Sequence, residues 1–252
     1  MSATKRYTVW FLVFVLMFSL AGCVASSGNT EKQESNITVE NTENTDATDN
    51  ESTVPDDTLD SKQTQETNDA DELQTTSSDI LVVYFSRTGE QYSVGVIDKG
   101  NTAIVAEMIA EETGADMFEI LPQEDYYPYT YDELTDVAKK EQNENARPAY
   151  QGGVPDLSKY TTIFIGAPVW WGDWPMICYT FFEDNADALA GKTLIPFSTH
   201  EGSGLSGFDR KLEAAIPGAT VLDGLAIRGN DAQNNQDNVR ETVKNWLSDL
   251  GY

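Results

Sequence analysis

Apolar and polar positions are unevenly spread along the chain. Residues 7–20 form one apolar run, and a polar tract then lasts to residue 79. From residue 80 onward, apolar runs and helical patterns take turns. Residues 80–85, Ile-Leu-Val-Val-Tyr-Phe, are continuously apolar with β-branched members, the pattern of a strand covered on both faces. Residues 101–113 put Ala103, Ile104, Ala106, Met108, Ile109 and Ala110 on an apolar helical face, and Gly114 ends that helix. The pattern predicts a second strand over 116–121 and an exposed helix over 131–145, stopped near Pro148. A third buried strand follows at 161–166, then a helix over 175–187 opened by Pro175. Residues 193–198 read as a fourth strand, in which Pro196 marks a bulge or the strand's end. A helix over 208–216, a last strand over 219–222 with an extension to Ile227, and an amphipathic helix over 233–250 close the chain.

Strands alternating with helices predict an α/β domain, with a mostly parallel sheet, right-handed crossovers and helices on both faces. The patterned part holds about 170 residues, enough for one core and too few for two. The layout is therefore a leader over 1–22, a tether over 23–79 and one folded domain over 80–252. Open parallel sheets take ligands beyond the carboxyl ends of their strands, near a topological switch point. The loops after Phe85, Ile165 and Phe197 are the ones to read for chemistry.

Charge and cysteine content narrow the picture. The net charge of −26 comes from 42 acidic and 16 basic residues, with close to half of the excess before residue 80. Such a surface repels phosphate backbones, which excludes nucleic acid as a partner. A small anionic ligand must be met by backbone N–H groups, because cations are scarce. Cys23 and Cys178 are the only cysteines and His200 the only histidine, so neither a zinc site nor a His-based triad is expected. Cys178 reads as a small buried residue rather than a reactive thiol.

Lys5 and Arg6 precede the apolar run, and small residues follow it, as in a secretory signal. Leu20-Ala21-Gly22-Cys23 resembles the bacterial lipobox, which implies acylation of Cys23 and a protein lipid-anchored to the bacterial membrane on its extracytoplasmic side. An ordinary cleaved signal is the alternative, and an uncleaved anchor a weaker one. Residues 24–79 are rich in Asn, Thr, Ser, Glu and Asp and cannot bury enough apolar surface to fold, which predicts a disordered spacer.

The first loop begins Ser86-Arg87-Thr88-Gly89 and reaches a helix at Gly100-Asn101-Thr102. Hydroxyl and glycine residues between a buried strand and a helix N-terminus suit a phosphate. Capping alone accounts for Thr102 but not for the hydroxyls at the strand end. The loop is neither a Walker loop nor a dinucleotide fingerprint. The second loop is Gly166-Ala167-Pro168-Val169-Trp170-Trp171-Gly172-Asp173-Trp174-Pro175. Three indoles so close together are explained better by a flat ligand stacked on one of them than by core packing of all three. The third loop, Ser198-Thr199-His200-Glu201-Gly202-Ser203-Gly204-Leu205-Ser206-Gly207, is long and glycine-rich and lets backbone approach a ligand edge.

Taken together, these loops resemble those of the bacterial flavodoxin family, and the resemblance spans residues 80–250. It implies a flavodoxin-like three-layer fold, with a five-stranded parallel sheet in the order 2-1-3-4-5 and non-covalent FMN. By motif, Ser86, Thr88, Gly89, Asn101 and Thr102 would hold the phosphate. Trp170, Trp171 and Gly172 would face the ring, with Pro168 and Val169 shaping their loop. Thr199, His200, Glu201, Gly202 and Gly204 would line the far edge. Arg87 either shields the phosphate or points to solvent. One departure from the pattern is clear: residues 90–99 intervene before Gly100 and can fold over the phosphate or ring, which makes Tyr92 a candidate contact. Tyr126, Tyr127, Tyr129 and Tyr131 serve either packing or a partner surface.

The resemblance implies an electron carrier with an unidentified redox partner. An FMN-dependent NAD(P)H or quinone reductase is the first rival, and a binding module without redox use the second. No separate nicotinamide signature is present. His200 as an acid–base and Ser86 as a nucleophile both lack a visible partner.

Overall fold

The structure is a computed structural model that describes residues 78–252. The leader, Cys23 and the polar tract up to residue 77 lie outside the described residues. In chain order the elements begin with β1 (Ile80–Tyr84), β2 (Gly89–Gln91), β3 (Gly95–Ile97), α1 (Asn101–Thr113) and β4 (Asp116–Glu119). Next come α2 (Tyr131–Glu144), a 3-10 turn (Leu157–Lys159), β5 (Thr162–Pro168), α3 (Met176–Asp184) and α4 (Ala186–Leu189). The last are β6 (Thr193–His200), α5 (Phe208–Ala215), β7 (Thr220–Val221), β8 (Leu225–Arg228), α6 (Gly229–Asn234) and α7 (Gln236–Leu250).

β1 pairs in parallel with β4 on one side and β5 on the other. β5 pairs with β6, and β6 with both β7 and β8, all in parallel. The order β4-β1-β5-β6-β7 is the expected 2-1-3-4-5 arrangement, with its fifth strand in two pieces. Side chains alternate between faces along each strand. Leu81, Val83 and Phe85 therefore join one core with Leu134 of α2, Ile177 of α3 and Leu212 of α5. Val82 and Tyr84 join the other with α1, Ala232 of α6 and Val239 of α7. The sheet thus lies between an α2/α3/α5 layer and an α1/α6/α7 layer.

Pro196 neither bulges nor ends its strand, contrary to the sequence expectation. β6 runs unbroken to His200, with Ile165 opposite Pro196 in a continuous register. The carbonyls of Lys192 and Leu194 accept from Thr220 and Leu222, so even-numbered β6 residues face the fifth strand. The N–H that proline lacks would point there too, and it is the fifth strand that gives way. Leu222, Asp223 and Gly224 separate β7 from β8 at this level. Gly224 lies so close that an added Cβ would come 2.6 Å from the Pro196 carbonyl oxygen.

Two helices also differ from expectation. The helix predicted over 175–187 stops at Asp184 and resumes as α4 after Asn185, and Pro175 sits just before its first residue. The terminal helix starts earlier than predicted, as α6, and breaks at Asn235 before α7. No helix among the described residues is long and apolar enough to cross a membrane.

The inserted residues after Gly89 form their own antiparallel ribbon, β2 against β3. Helix α2 is less exposed than the sequence indicated: Leu134, Ala138 and Glu141 are buried at i, i+4 and i+7. Glu141 accepts from the hydroxyls of Tyr126 and Tyr127. Burial raises its carboxyl pKa, and the two tyrosine bonds oppose that shift.

Candidate functional site

At the carboxyl end of β1 the chain turns into the first loop, and Ser86 caps α1 from a distance in sequence. Its Oγ accepts from the Ala103 N–H at 3.1 Å, because the helix's own N-cap, Gly100, has no side chain. Gly100 has to be small here: an added Cβ would lie 2.1 Å from Ser86 Oγ and 2.7 Å from the Arg87 carbonyl oxygen. The first turn of α1 carries no acidic residue to compete with an anion for its N–H groups. Thr102 and Thr199 share a buried hydroxyl–hydroxyl bond of 2.7 Å, which locks the first loop to the third.

Other first-loop residues point elsewhere. Thr88 is exposed, and Gly89, at φ 91°, packs against the Tyr129 carbonyl. Arg87 neither covers the cradle nor points freely to solvent. It pairs with Asp125 at 2.7 Å, donates to the Tyr127 carbonyl at 3.0 Å and lies over the Tyr127 ring.

The second loop is a tight turn closed by reciprocal Trp170–Asp173 backbone bonds of 2.9 and 3.0 Å. Trp171 and Gly172, at φ 51° and 73°, have the left-handed pair that a type I′ turn requires. The three indoles take different roles. Trp174 is buried and stacks on Phe208 at 3.7 Å, a core residue. Trp170 is half-buried, edge-on to Phe85 and Tyr127. Trp171 is 53% exposed, donates its indole N–H to the Thr135 carbonyl and lies under Lys139. Lys211 steadies the turn, donating to the Gly172 carbonyl at 2.6 Å and pairing with Asp173 at 3.1 Å.

In the third loop, His200 Nδ1 accepts from the Gly202 N–H at 2.8 Å. Burial lowers the His200 pKa, so the ring is neutral near pH 7 with its proton on Nε2. Glu201 lies at the cavity but directs its carboxylate to α6, accepting from the Asn230 N–H at 2.7 Å. Gly202 is exposed, and the Gly204 carbonyl accepts from Ser198.

The three loops meet at a cavity of about 460 Å³ beyond the carboxyl ends of β1, β5 and β6. Pro168, Val169, Trp170 and Trp171 form one wall. Thr199, His200, Glu201 and Ser203 form another, and Asn101 closes the α1 end. A third wall comes from Tyr131, Leu134, Thr135 and Ala138 of α2, which sequence reasoning missed. The buried spacing of Leu134 and Ala138 was the available signal. Gln91 and Tyr92 of the ribbon complete the lining. Of the residues the sequence pattern singles out, Ser86, Arg87, Thr88, Gly89, Thr102, Gly172, Gly202 and Gly204 do not line the cavity. Gln233 is a further residue sequence reasoning did not single out: its amide donates to Asn101 Oδ1 and to the Lys99 carbonyl, fixing Asn101.

The arrangement offers hydroxyls and a helix N-terminus at one end, aromatic and aliphatic walls in the middle, and a polar edge opposite. That is the usual make-up of a site for an amphiphilic small molecule, and its volume is within the usual range. The family described as Flavodoxin matches residues 79–250. A candidate flavoprotein from Bacteroides uniformis is similar at 30% identity and a TM-score of 0.53, over 68% of this chain and 99% of that one. One from Bacteroides eggerthii is similar at 28% identity and a TM-score of 0.53, over 69% and 98%. A flavoprotein from Lactobacillus acidophilus NCFM, solved in complex with FMN, is similar at 22% identity and a TM-score of 0.48, over 63% and 97%. No curated protein matches the chain.

Proposed function

The chain belongs to the flavodoxin family, and from that membership we propose that it is an FMN-binding electron carrier tethered outside the cytoplasmic membrane. The observation that carries this reading is the cavity where the three loops converge at the switch point of the sheet. Its residues fit FMN. Asn101 lines the cavity at the α1 N-terminus, where a phosphate is favoured, while Ser86 caps that helix and Thr102 is buried against Thr199. Val169, Trp170, Trp171 and Leu134 supply flat and apolar surface for a ring. His200 offers a neutral N–H donor and Ser203 a hydroxyl for a polar ring edge.

When bound, the flavin supplies the redox chemistry. The protein's part is to bind, orient and screen it. Thr102–Thr199 and Gln233–Asn101 hold the phosphate end in register, and Lys211 fixes the turn beside the ring. Leu134 and Ala138 keep water from one side of the cavity. Trp171 and Tyr92, both more than half exposed, bring aromatic surface to the cavity's rim, where a partner protein can approach. The acidic surface disfavours added negative charge nearby and so lowers the flavin's potential.

Purified full-length protein given FMN is expected to turn yellow at one flavin per chain. A protein that stays colourless would leave the binding-module reading. Sustained NADH or NADPH oxidation by the loaded protein would favour the reductase reading instead. The tether rests on Leu20-Ala21-Gly22-Cys23 following an apolar run. Cells fed radiolabelled palmitate are expected to label the protein, and Cys23→Ala should abolish the label. Equal labelling of the variant would remove the lipid anchor from the proposal.

A further inference from the structure

We propose that Trp170, Tyr127 and Tyr126 form a relay that carries an oxidising equivalent from the cavity to the surface, with Glu141 as the proton acceptor for both tyrosines. The relay rests on the FMN reading for the source of that equivalent, a light-excited flavin beside Trp170.

Trp170 lines the cavity, and its ring meets the Tyr127 ring edge-on at a centroid separation of 5.3 Å. Tyr127 is buried and meets the Tyr126 ring at 4.6 Å, and Tyr126 is about half exposed. The three rings thus run without a gap from the cavity wall to solvent, on the side of the sheet covered by α2. Indole and phenol are among the side chains most easily oxidised by one electron. Rings in contact exchange an electron far faster than rings held apart by aliphatic side chains or water.

Loss of an electron makes a phenol a strong acid, so its proton needs an acceptor. Both hydroxyls donate to one carboxylate: Tyr126 to Glu141 Oε1, and Tyr127 to Oε2 at 3.2 Å. Glu141 is only 6% exposed, and a carboxylate at that depth is costly to bury. Taking up a proton removes that cost, which is why burial raises its pKa. The Arg87 guanidinium lies over the Tyr127 ring and opposes positive charge there. Tyr127 therefore gives up its electron as its proton leaves for Glu141. Packing alone does not call for this arrangement, since an apolar side chain at position 141 would fill the space without a buried charge.

The steps balance as follows. One electron passes from the Trp170 indole to the light-excited flavin. Tyr127 returns an electron to Trp170 while its phenolic proton moves to Glu141. Tyr126 then returns an electron to Tyr127, which recovers its proton from Glu141 as Glu141 takes the Tyr126 proton instead. The outcome is one electron on the flavin, a protonated Glu141 and a phenoxyl radical at the surface. A thiolate in solution closes the sequence by giving Tyr126 an electron, and Glu141 returns the proton.

The test is flash photolysis of the full-length protein loaded with FMN, with the phenoxyl radical read by its absorption and by electron paramagnetic resonance. Wild type should give a phenoxyl signal that a thiol in solution quenches. Tyr127→Phe should lower the signal by about tenfold or more, because the middle carrier is gone. Tyr126→Phe should leave the radical on buried Tyr127 and slow its quenching by thiol about tenfold or more. Glu141→Gln should slow phenoxyl formation by about tenfold or more, through loss of the base. If Glu141→Gln does not fold, the two phenylalanine variants carry the test, since each keeps one phenol on Glu141. Tyr92 and Tyr131 also line the cavity, so a signal that Tyr127→Phe leaves unchanged places the radical elsewhere and overturns the relay. A second source removes the dependence on flavin: azidyl radicals oxidise indoles in the flavin-free protein. There too Tyr127→Phe should lower the phenoxyl signal, by about twofold or more, and an equal signal overturns the relay. A wild type that binds no flavin overturns the FMN reading and the flavin as source, and the azidyl measurement then decides the relay by itself.

Discussion

Gly100→Ala is expected to weaken FMN binding by about 100-fold or more while leaving the sheet folded. The added Cβ would stand 2.1 Å from Ser86 Oγ, 2.7 Å from the Arg87 carbonyl oxygen and 3.0 Å from its nitrogen. The serine hydroxyl can rotate away, at the cost of its bond to Ala103 and about 1 kcal/mol of capping. The Arg87 backbone has no such freedom, because its peptide sits between β1 and the anchored guanidinium. The cradle must therefore open, and hydrogen bonds set for a phosphate lose their geometry. Fluorescence titration measures the loss, and thermal melting should show a drop of only a few degrees. Gly152→Ala, where nothing lies within 4 Å of the missing Cβ, is the control and should bind like wild type. Equal affinity for Gly100→Ala and the control would refute the cradle.

Gly166→Ala carries the largest expected loss of stability, about 3 kcal/mol or more. Gly166 lies opposite Phe197 in the β5–β6 register, and the Phe197 ring occupies the space above it. An alanine Cβ would fall 2.1 Å from two ring carbons. Phe197 is fully buried, with no solvent to move into. Either the ring leaves its rotamer or the two central strands separate, and both are costly. Urea unfolding measures the change. The double variant Gly166→Ala/Phe197→Leu should recover part of it, giving non-additive energies expected of a direct contact. Additive losses would mean that the ring is not what makes glycine necessary.

The central strands were legible because burial on both faces writes itself as an unbroken apolar run, as in residues 80–85 and 161–166. The three loops were legible because their residue types are unusual after such runs. What stayed hidden depends on pairs of segments distant in sequence. Pro196 looked like a fault in its own strand, but a missing N–H matters only to the neighbour it would have bonded, and that neighbour breaks instead. The β2–β3 ribbon exposes Glu90, Tyr92, Ser93, Gly95 and Val96, so it has too little buried alternation to read as strand. Only the extra loop length pointed to it. The tryptophans looked like one feature because they adjoin in sequence. A type I′ turn followed by a helix start sends them to the cavity, the rim and the core. Arg87 was equally hard to place, since its partner Asp125 comes after a helix and three strands.

The break in the fifth strand also has a consequence for how copies of this chain behave toward one another. A sheet margin with a long row of free N–H and carbonyl groups is a template on which another chain can add a strand. Had residues 220–228 run straight, this margin would have been such a template. Instead β7 holds two residues and β8 four, with Gly224 drawn in against Pro196 between them. At the opposite margin β4 is also only four residues long, and it begins and ends on Asp116 and Glu119. Each margin is thus short, and the missing N–H of Pro196 interrupts the ladder to the fifth strand, features that blunt strand addition from another chain.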